Sequence, residues 1–598
     1  MPERKAWVLV FPSIKKTRNL RYYQKIIRFC RRKAGGTGSL LINSFMKKIS
    51  FLLLATLFIY RVGAQSIGER IDSIFKPWTN DTGPGCAVAV VRDDSIVYAK
   101  GYGLGSLEYK FPIGAATPFN VASVSKQFTA FAILTLVQQD KLKLTDDIRT
   151  YLPWFPDLKA TITIQHLLTH TSGIRTADQL LGIAGTRIDD IETNDDFIKV
   201  LSRQRDLNFK PGTQYGYSNS NFMLLAEIVR VVSGKTLRQY TDSVIFRPLG
   251  MTATHFHDRY NELEPGLAVS YLHQGANNYS DAVCNFAVVG PASLYSSVND
   301  LARWAMNYYA PKVGNAETIQ LMTEPGRLDD GTVLKSARGI EVDHYKGRLR
   351  YAHSGSQAGY HTFFSVFPEQ KLAIIVLGNI DDFKPQRSSE SVADLFLPAG
   401  PAIQPPPPVN WADTGLAVIK DTMIRQFLGS YVSDDAVAFT VTIRNNKCLL
   451  VNEVGATSLL KPVNGHTYTY FGNPDATFVF GRDSKNEKII DEYWPGRSRH
   501  FVTYDLRVKT DDELSCYTGV YFCEELDCGY RILLKDHQLF LSGYKGKDIP
   551  LKLYGDDQLT NTTWYMPNIM MLRDRQHRIT GFEVDSDRVM HLPFRKVK

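Results

Sequence analysis

The chain has 598 residues, 44% of them hydrophobic and 22% charged, and a formal charge of +9. That length exceeds one compact domain, with a prior of roughly four at about 150 residues each, and the composition excludes a largely disordered chain. The positive charge does not indicate a nucleic-acid partner, because residues 1–45 hold eleven Lys or Arg against the single acid Glu3.

Next comes Met46-Lys47-Lys48, an apolar run Ile49–Tyr60, and Val62-Gly63-Ala64 before Gln65. A basic start, a short apolar core and small residues before the cut read as a secretory signal over 46–64. The run of twelve residues is too short to cross a bilayer as a helix. An export signal placed behind 45 residues is unusual, so translation is expected to start at Met46, with residues 1–45 an upstream extension. Taking that segment's +10 and the signal's three cations from +9 leaves −4 for the mature chain. The expectation is an exported protein, periplasmic or secreted, with no nucleic-acid partner. No cysteine follows the cut, so no stable membrane anchor is expected after cleavage. Cysteines 86, 284, 448, 516, 523 and 528 read as small buried hydrophobes, with Cys523 and Cys528 close enough to pair locally.

Cys86–Val91 and Ile96–Tyr98 read as strands flanking an Arg92–Ser95 turn. Helical periods follow over Ser123–Gln139, Ile164–His170 and Asn221–Val232, the last closed by Gly234. Strand signals return at Tyr351–His353, Thr362–Phe367 and Leu372–Leu377, with a turn at Pro368–Lys371. Strands, then helices, then strands predict an α+β domain over 65–400 whose antiparallel sheet draws on both ends of the segment. A stiff Pro-rich linker over 401–420 contains Pro405–Pro408. The tail carries short strands with turns at Asn445-Asn446 and Gly555-Asp556-Asp557. It also looks duplicated. Gly429-Ser430-Tyr431 is echoed by Gly519-Val520-Tyr521 at a spacing of 90, and Phe478-Val479-Phe480 with Asp483 by Met570-Met571-Leu572 with Asp574 at 91. Two all-β barrels, over 421–508 and 509–598, are expected.

Three motifs carry chemistry. In Ser123-Val124-Ser125-Lys126, positions i and i+3 share a helix face, so Ser123 and Lys126 stand side by side at the first turn of an apolar helix. The helix N-terminus favours a developing alkoxide, and burial can lower a lysine pKa towards neutrality. Tyr217-Ser218-Asn219, read as extended, points a phenol and an amide at one site, with Ser220 or Asn221 capping the next helix. A tyrosinate beside a lysine can act as general base, and Asn219 can bond both the lysine and a substrate carbonyl. His353-Ser354-Gly355 ends a strand at a glycine, where backbone approaches a ligand closely. The amide N–H of Ser356, with that of Ser123, would form an oxyanion hole.

In the order S-x-x-K, Y-x-N, H-x-G, these motifs resemble the penicillin-recognising serine hydrolases: class C β-lactamases, low-molecular-mass DD-peptidases, D-aminopeptidases and related esterases. Phe119–Ala122, His166–Gly173, Pro248–Met251 and Gly290–Ser297 with Asp300-Leu301-Ala302 are similar to further landmarks of that family, over about residues 67–400. The resemblance implies Ser123 as acylated nucleophile, Lys126 as its activator and Tyr217 as proton shuttle. It implies Asn219, His353 and Gly355 at the substrate, and no cofactor or metal. His353 stands where true β-lactamases carry a lysine, and at an unperturbed pKa of ~6.5 it is mostly neutral at pH 7. That favours peptide or ester cleavage, as does a D-aminopeptidase architecture with two appended barrels, one of which can reach the active-site mouth. Three readings follow: a hydrolase of D-amino-acid peptides, amides or esters, including cell-wall fragments; a β-lactamase; and a sensor that acylates without turnover. His166 and His170 lack a third metal ligand, and His255-Phe256-His257 reads as a surface turn.

Overall fold

The computed structural model describes residues 65–397 and 424–597, apart from residue 80 and the short stretches 434–436, 445–446, 453–456, 465, 471–472, 495–496, 505–508, 544–546, 555–556 and 587. The basic segment, the signal, the Pro-rich linker and the turns at 445–446 and 555–556 lie outside the described residues.

Strands β1 (Cys86–Arg92) and β2 (Ser95–Tyr102) form the expected hairpin, with Arg92 opposite Ser95. Far along the chain, β3 (Glu341–Tyr345), β4 (Arg348–Gln357), β5 (Tyr360–Phe367) and β6 (Leu372–Gly378) add to it in the order β3-β4-β5-β6-β1-β2, antiparallel throughout. The central strand β1 is apolar along its length because both its faces are covered. Side chains alternate across a strand, so Ala87, Ala89 and Val91 join one core and Cys86, Val88 and Val90 another. The first core contains helix α1 (Lys126–Gln138), buried nearly all round, and α2 (Asn219–Ser233).

The predicted helix from Ser123 begins differently. Residues Ala122–Ser125 form a 3-10 turn, and the α-helix starts at Lys126. The turn is entered through Ala122 at φ 48°, a left-handed conformation that disfavours any residue with a Cβ. It is held there by Ala122 N–H donating to Asn120 Oδ1 at 2.8 Å and by Ser125 Oγ–H donating to Ala122 O at 2.5 Å. The helix over 164 stops at Leu168, with His170 left-handed at φ 57°. Helix α2 opens at Asn219 behind Ser218, two residues before the expected start, and closes at Gly234 with φ 70°. Ser220 and Asn221 therefore do not cap this helix. Ser220 Oγ accepts from Ala177 N, and Asn221 Oδ1 accepts from Ser172 Oγ.

Two antiparallel barrels follow. The first is a closed eight-stranded barrel running from Gly429–Ser433 to Arg497–Thr503 around its own core of Tyr431, Phe478, Phe480, Ile490 and Phe501. In the second, nine strands curl so that the end strands Ile549–Pro550 and Lys552–Tyr554 flank Leu551 in the chain. The repeat spacing recurs in the hydrogen bonding. Tyr431 Oη donates to Phe427 O and Tyr521 Oη to Tyr517 O, each four residues back. Asp483 Oδ1 accepts from the N–H groups of Lys485 and Glu487, and Asp574 Oδ1 from those of Gln576 and Arg578.

The second barrel shares its core with the helices of the first domain: Tyr521, Ile532, Leu541, Phe582 and Phe594 belong to the same buried cluster as Phe128 and Leu180. Arg175, wholly buried, joins the two, donating to Glu525 Oε2 at 3.1 Å and to the carbonyls of Met590 and His591 at 3.0 Å each. Gln179 Nε2 adds bonds to Ser586 Oγ at 2.7 Å and Tyr565 O at 3.0 Å.

Candidate active site

Of residues 121–130, Ser123 alone keeps surface, and it opens into a cavity of about 850 Å³. The 3-10 turn presents its hydroxyl one turn from Lys126, whose Nζ is 3.0 Å from Ser123 Oγ, 3.0 Å from Asn219 Oδ1 and 2.8 Å from Pro291 O. Tyr217 Oη donates to Ser123 Oγ at 2.9 Å. Lys126 and Tyr217, from two separate stretches of chain, thus meet on one oxygen.

Lys126 is fully buried, and that desolvation pushes its pKa well below the ordinary lysine range; the charge of Arg588 pushes the same way. Nζ donates to Ser123 Oγ, Asn219 Oδ1 and Pro291 O; once the amine is neutral, two N–H groups can keep Asn219 and Pro291 while the lone pair faces the Ser123 hydroxyl. Burial acts oppositely on Tyr217, holding its phenol up at about 12 despite the Ser123 hydrogen bond and Arg588. The tyrosinate base considered from sequence is therefore disfavoured. A neutral Lys126 takes the proton more readily, and the protonated phenol is poised to pass one on.

Tyr217 is set by what lies beneath it. The ring of His170 sits 4.4 Å from the Tyr217 ring, and His170 Nδ1 accepts from Ser218 N at 3.2 Å. His166 closes a capping box with Thr163 instead, so the two histidines do not converge on a metal. Asn219 is oriented by residues that no motif flagged. Its backbone N–H donates to Thr176 Oγ1 at 3.1 Å, and its Nδ2 donates to Asp178 Oδ2 at 3.2 Å, leaving one amide N–H for substrate.

Strand β3 pairs with β4 only as far as Ala352, so His353, Ser354, Ser356 and Gln357 line the cavity. His353 is 7% exposed, and burial together with Lys126 lowers its pKa to about 4. With Nδ1 placed 2.6 Å from Ser354 O, the ring is a neutral imidazole with Nε2 as acceptor. Gly355 lies against the turn that precedes Ser123. A Cβ there would sit 2.3 Å from Thr362 Oγ1 and 2.4 Å from Val121 O, which explains the glycine.

The cavity also receives residues from beyond position 400. Trp564 and Arg588 of the second barrel line it, with the Arg588 guanidinium 5.1 Å from the centre of the Tyr217 ring. Such partners hundreds of residues away leave no local signal in the sequence.

His255-Phe256-His257 is not a surface turn. His255 and Phe256 form a strand paired with Leu294–Tyr295, and His257 is buried against the Tyr295 ring at 4.6 Å. Together with Glu264, which lies 3.1 Å from His255 Nε2, these histidines are the group among the described residues whose donor atoms come within 4.8 Å of one another, as metal ligands would. Cys523 and Cys528 are cross-strand partners with free thiols.

Comparison with known proteins places these residues in context. The Beta-lactamase family profile matches residues 72–396. A Bacillus subtilis protein named as a penicillin-binding protein, PbpX, is 30% identical over 294 residues, covering 49% of this chain and 70% of that protein. A D-aminopeptidase of Gluconobacter oxydans is 26% identical over 297 residues, 50% of this chain and only 56% of the relative. An octameric penicillin-binding protein homologue from Pyrococcus abyssi superposes with a TM-score of 0.50 at 21% identity, covering 80% of this chain and 99% of that one, a likeness of fold.

Proposed function

Since the chain belongs to the Beta-lactamase family of serine hydrolases, we propose that it works through a Ser123 acyl-enzyme, cleaving amide or ester bonds of D-amino-acid peptides or related small substrates outside the cytoplasm. The observation that carries this reading is the convergence of Lys126 Nζ and Tyr217 Oη on Ser123 Oγ, at 3.0 and 2.9 Å.

Ser123 Oγ attacks the substrate carbonyl carbon while its proton passes to the Lys126 amine. The N–H groups of Ser123 and Ser356 receive the developing oxyanion. Tyr217 then delivers a proton to the departing amine or alcohol and regains one from the Lys126 ammonium. Water attacks the acyl-enzyme by the same route in reverse, releasing acid and free Ser123. Asn219 bonds the substrate through its remaining amide N–H, and His353 faces it across the cavity. The D-aminopeptidase relative and the neutral His353 support an amide or ester substrate. Export is supported by the signal-like segment 46–64.

An uncharged fluorophosphonate should label the wild type and fail on Ser123→Ala. Equal labelling would remove Ser123 from the nucleophile's role. Turnover of D-alanyl p-nitroanilides and p-nitrophenyl esters should exceed that of nitrocefin. A much faster nitrocefin rate would make the protein a β-lactamase, and stoichiometric labelling without turnover would make it a sensor.

A further inference from the structure

Arg588 lies in the connection between strands Ile579–Val584 and Leu592–Lys596 of the second barrel. The catalytic domain fixes its backbone. Arg588 O accepts from Thr176 N at 3.2 Å and Asn208 Nδ2 at 2.9 Å, and Met590 N donates to Asn208 Oδ1 at 2.8 Å. Thr176 is the residue whose hydroxyl also holds Asn219. The guanidinium is thereby carried over the Tyr217 ring, into the cavity that Ser123 and Ser356 also line.

The other basic groups of that cavity are spent or neutral. Lys126 is engaged with Ser123, Asn219 and Pro291; His353 is a neutral acceptor; Arg187 is bidentate on Asp189. Arg588 has no carboxylate within ion-pair distance among the described residues, though it is a permanent cation facing the cavity. A guanidinium with a rigid backbone, one face on an aromatic ring and its fork free is suited to a planar anion.

We propose that Arg588 binds a substrate carboxylate, so that the second barrel completes the substrate site and selects acids over their neutral amides. This deepens the Ser123 reading and rests on it for the reaction. The guanidinium lies 5.1 Å from the centre of the ring whose oxygen bonds Ser123 Oγ, so a carboxylate it binds lies within a few residues of the scissile bond, at roughly 3.3–3.6 Å per residue. A monoanion is favoured over a phosphate, because Asp178 lines the same cavity and would repel a second negative charge.

The test is calorimetric binding of N-acetyl-D-alanine and N-acetyl-D-alaninamide to the full mature chain at low salt, for wild type, Arg588→Gln and Arg588→Lys. The wild type should bind the acid at least about tenfold more tightly than the amide, about 1.4 kcal/mol. The preference should vanish in Arg588→Gln and survive in part in Arg588→Lys. Absence of acid binding, tighter binding of the amide than of the acid, or a preference that persists in Arg588→Gln each overturns the proposal. Should Ser123 fail to label while the acid preference holds and depends on Arg588, the catalytic reading falls and the carboxylate subsite stands.

Discussion

Arg588→Gln also measures how far the second barrel reaches into the chemistry. Lys126 Nζ lies 4.8 Å and the Arg588 guanidinium 5.1 Å from the centre of the same Tyr217 ring, so the two charges are no more than about 10 Å apart. At that separation the Coulomb repulsion is about 1.7 kcal/mol at an effective dielectric of about 20, and about 0.4 kcal/mol if water screens it fully. Arg588 is exposed, so the truth lies between. The sign follows from the base. Its neutral form does the work, so the labelling rate rises with pH as Lys126 loses its proton, on a limb set below the ordinary lysine range by burial and by Arg588. Removing the arginine stabilises the ammonium and displaces the limb to higher pH. A tyrosinate base would respond in the same direction, since Arg588 also lowers the Tyr217 pKa. At a fixed pH on the limb, Arg588→Gln should therefore react with an uncharged fluorophosphonate between about 2-fold and about 17-fold more slowly than wild type. The gap should close at about 1 M salt, where the Debye length falls to roughly 3 Å. A variant that labels as fast as wild type at low salt, or whose deficit ignores salt, would refute the electrostatic reasoning.

Gly355→Ala forces a methyl to within 2.3 Å of Thr362 Oγ1 and 2.4 Å of Val121 O, so the turn that carries Ser123 must move; fluorophosphonate labelling should fall by about 100-fold, and retention of the wild-type rate would show that the strand yields instead. Arg175→Met leaves the buried Glu525 carboxylate without its cation and should cost about 3–5 kcal/mol in denaturant unfolding, with most of the loss recovered by adding Glu525→Gln. Burial holds the Glu192 carboxyl up at about 8, and its Oε2 has no hydrogen-bond partner. The folded protein therefore carries a proton there that the unfolded chain has lost above its own value near 4.5. Stability from this group is lost as pH rises from that value to about 8, by up to roughly 1.4 kcal/mol per pH unit. Comparison of wild type with Glu192→Gln from about pH 5.5 to 7.5 should show that slope only in the wild type.

What the sequence displayed were contacts made within a few residues of chain. Ser123 with Lys126, Tyr217 with Asn219, and His353 with Gly355 and Ser356 are each a short motif, and the structure gathers them around one cavity. The sheet was legible because β1 and β6 are apolar over their whole lengths. Errors arose where one pattern fits two geometries. A helical period through Ser123 does not separate a 3-10 turn from an α-helical one, because both bring i and i+3 together. His255-Phe256-His257 looked exposed because histidine is polar, yet ring stacking on Tyr295 keeps His257 buried. Thr176, Asp178 and Arg588 carried no signal at all. Each acts through a partner more than 40 residues away, and single polar residues in loops have no period to betray them.

The placement of Arg588 changes what the catalytic unit is. A family profile that ends at residue 396 encloses Ser123, Lys126, Tyr217, Asn219 and His353, yet one wall of their cavity comes from residues 564 and 588. The contact is no loose docking. Arg175 sits wholly buried between the domains with its guanidinium divided among Glu525, Met590 O, His591 O and Gln204. Tyr530 Oη caps the Ile183 carbonyl at the end of helix Ala177–Ile183 at 2.7 Å. That same helix carries Asp178 at its start, bonded to Asn219. Pulling the barrel away would strand a buried guanidinium, open a shared apolar core and loosen the residues that orient Asn219, all at once. Strain of that kind is transmitted through close-packed interiors rather than absorbed locally. The second barrel is therefore structurally part of the site, supplying Trp564 and Arg588 to the wall of the cavity that Ser123 lines.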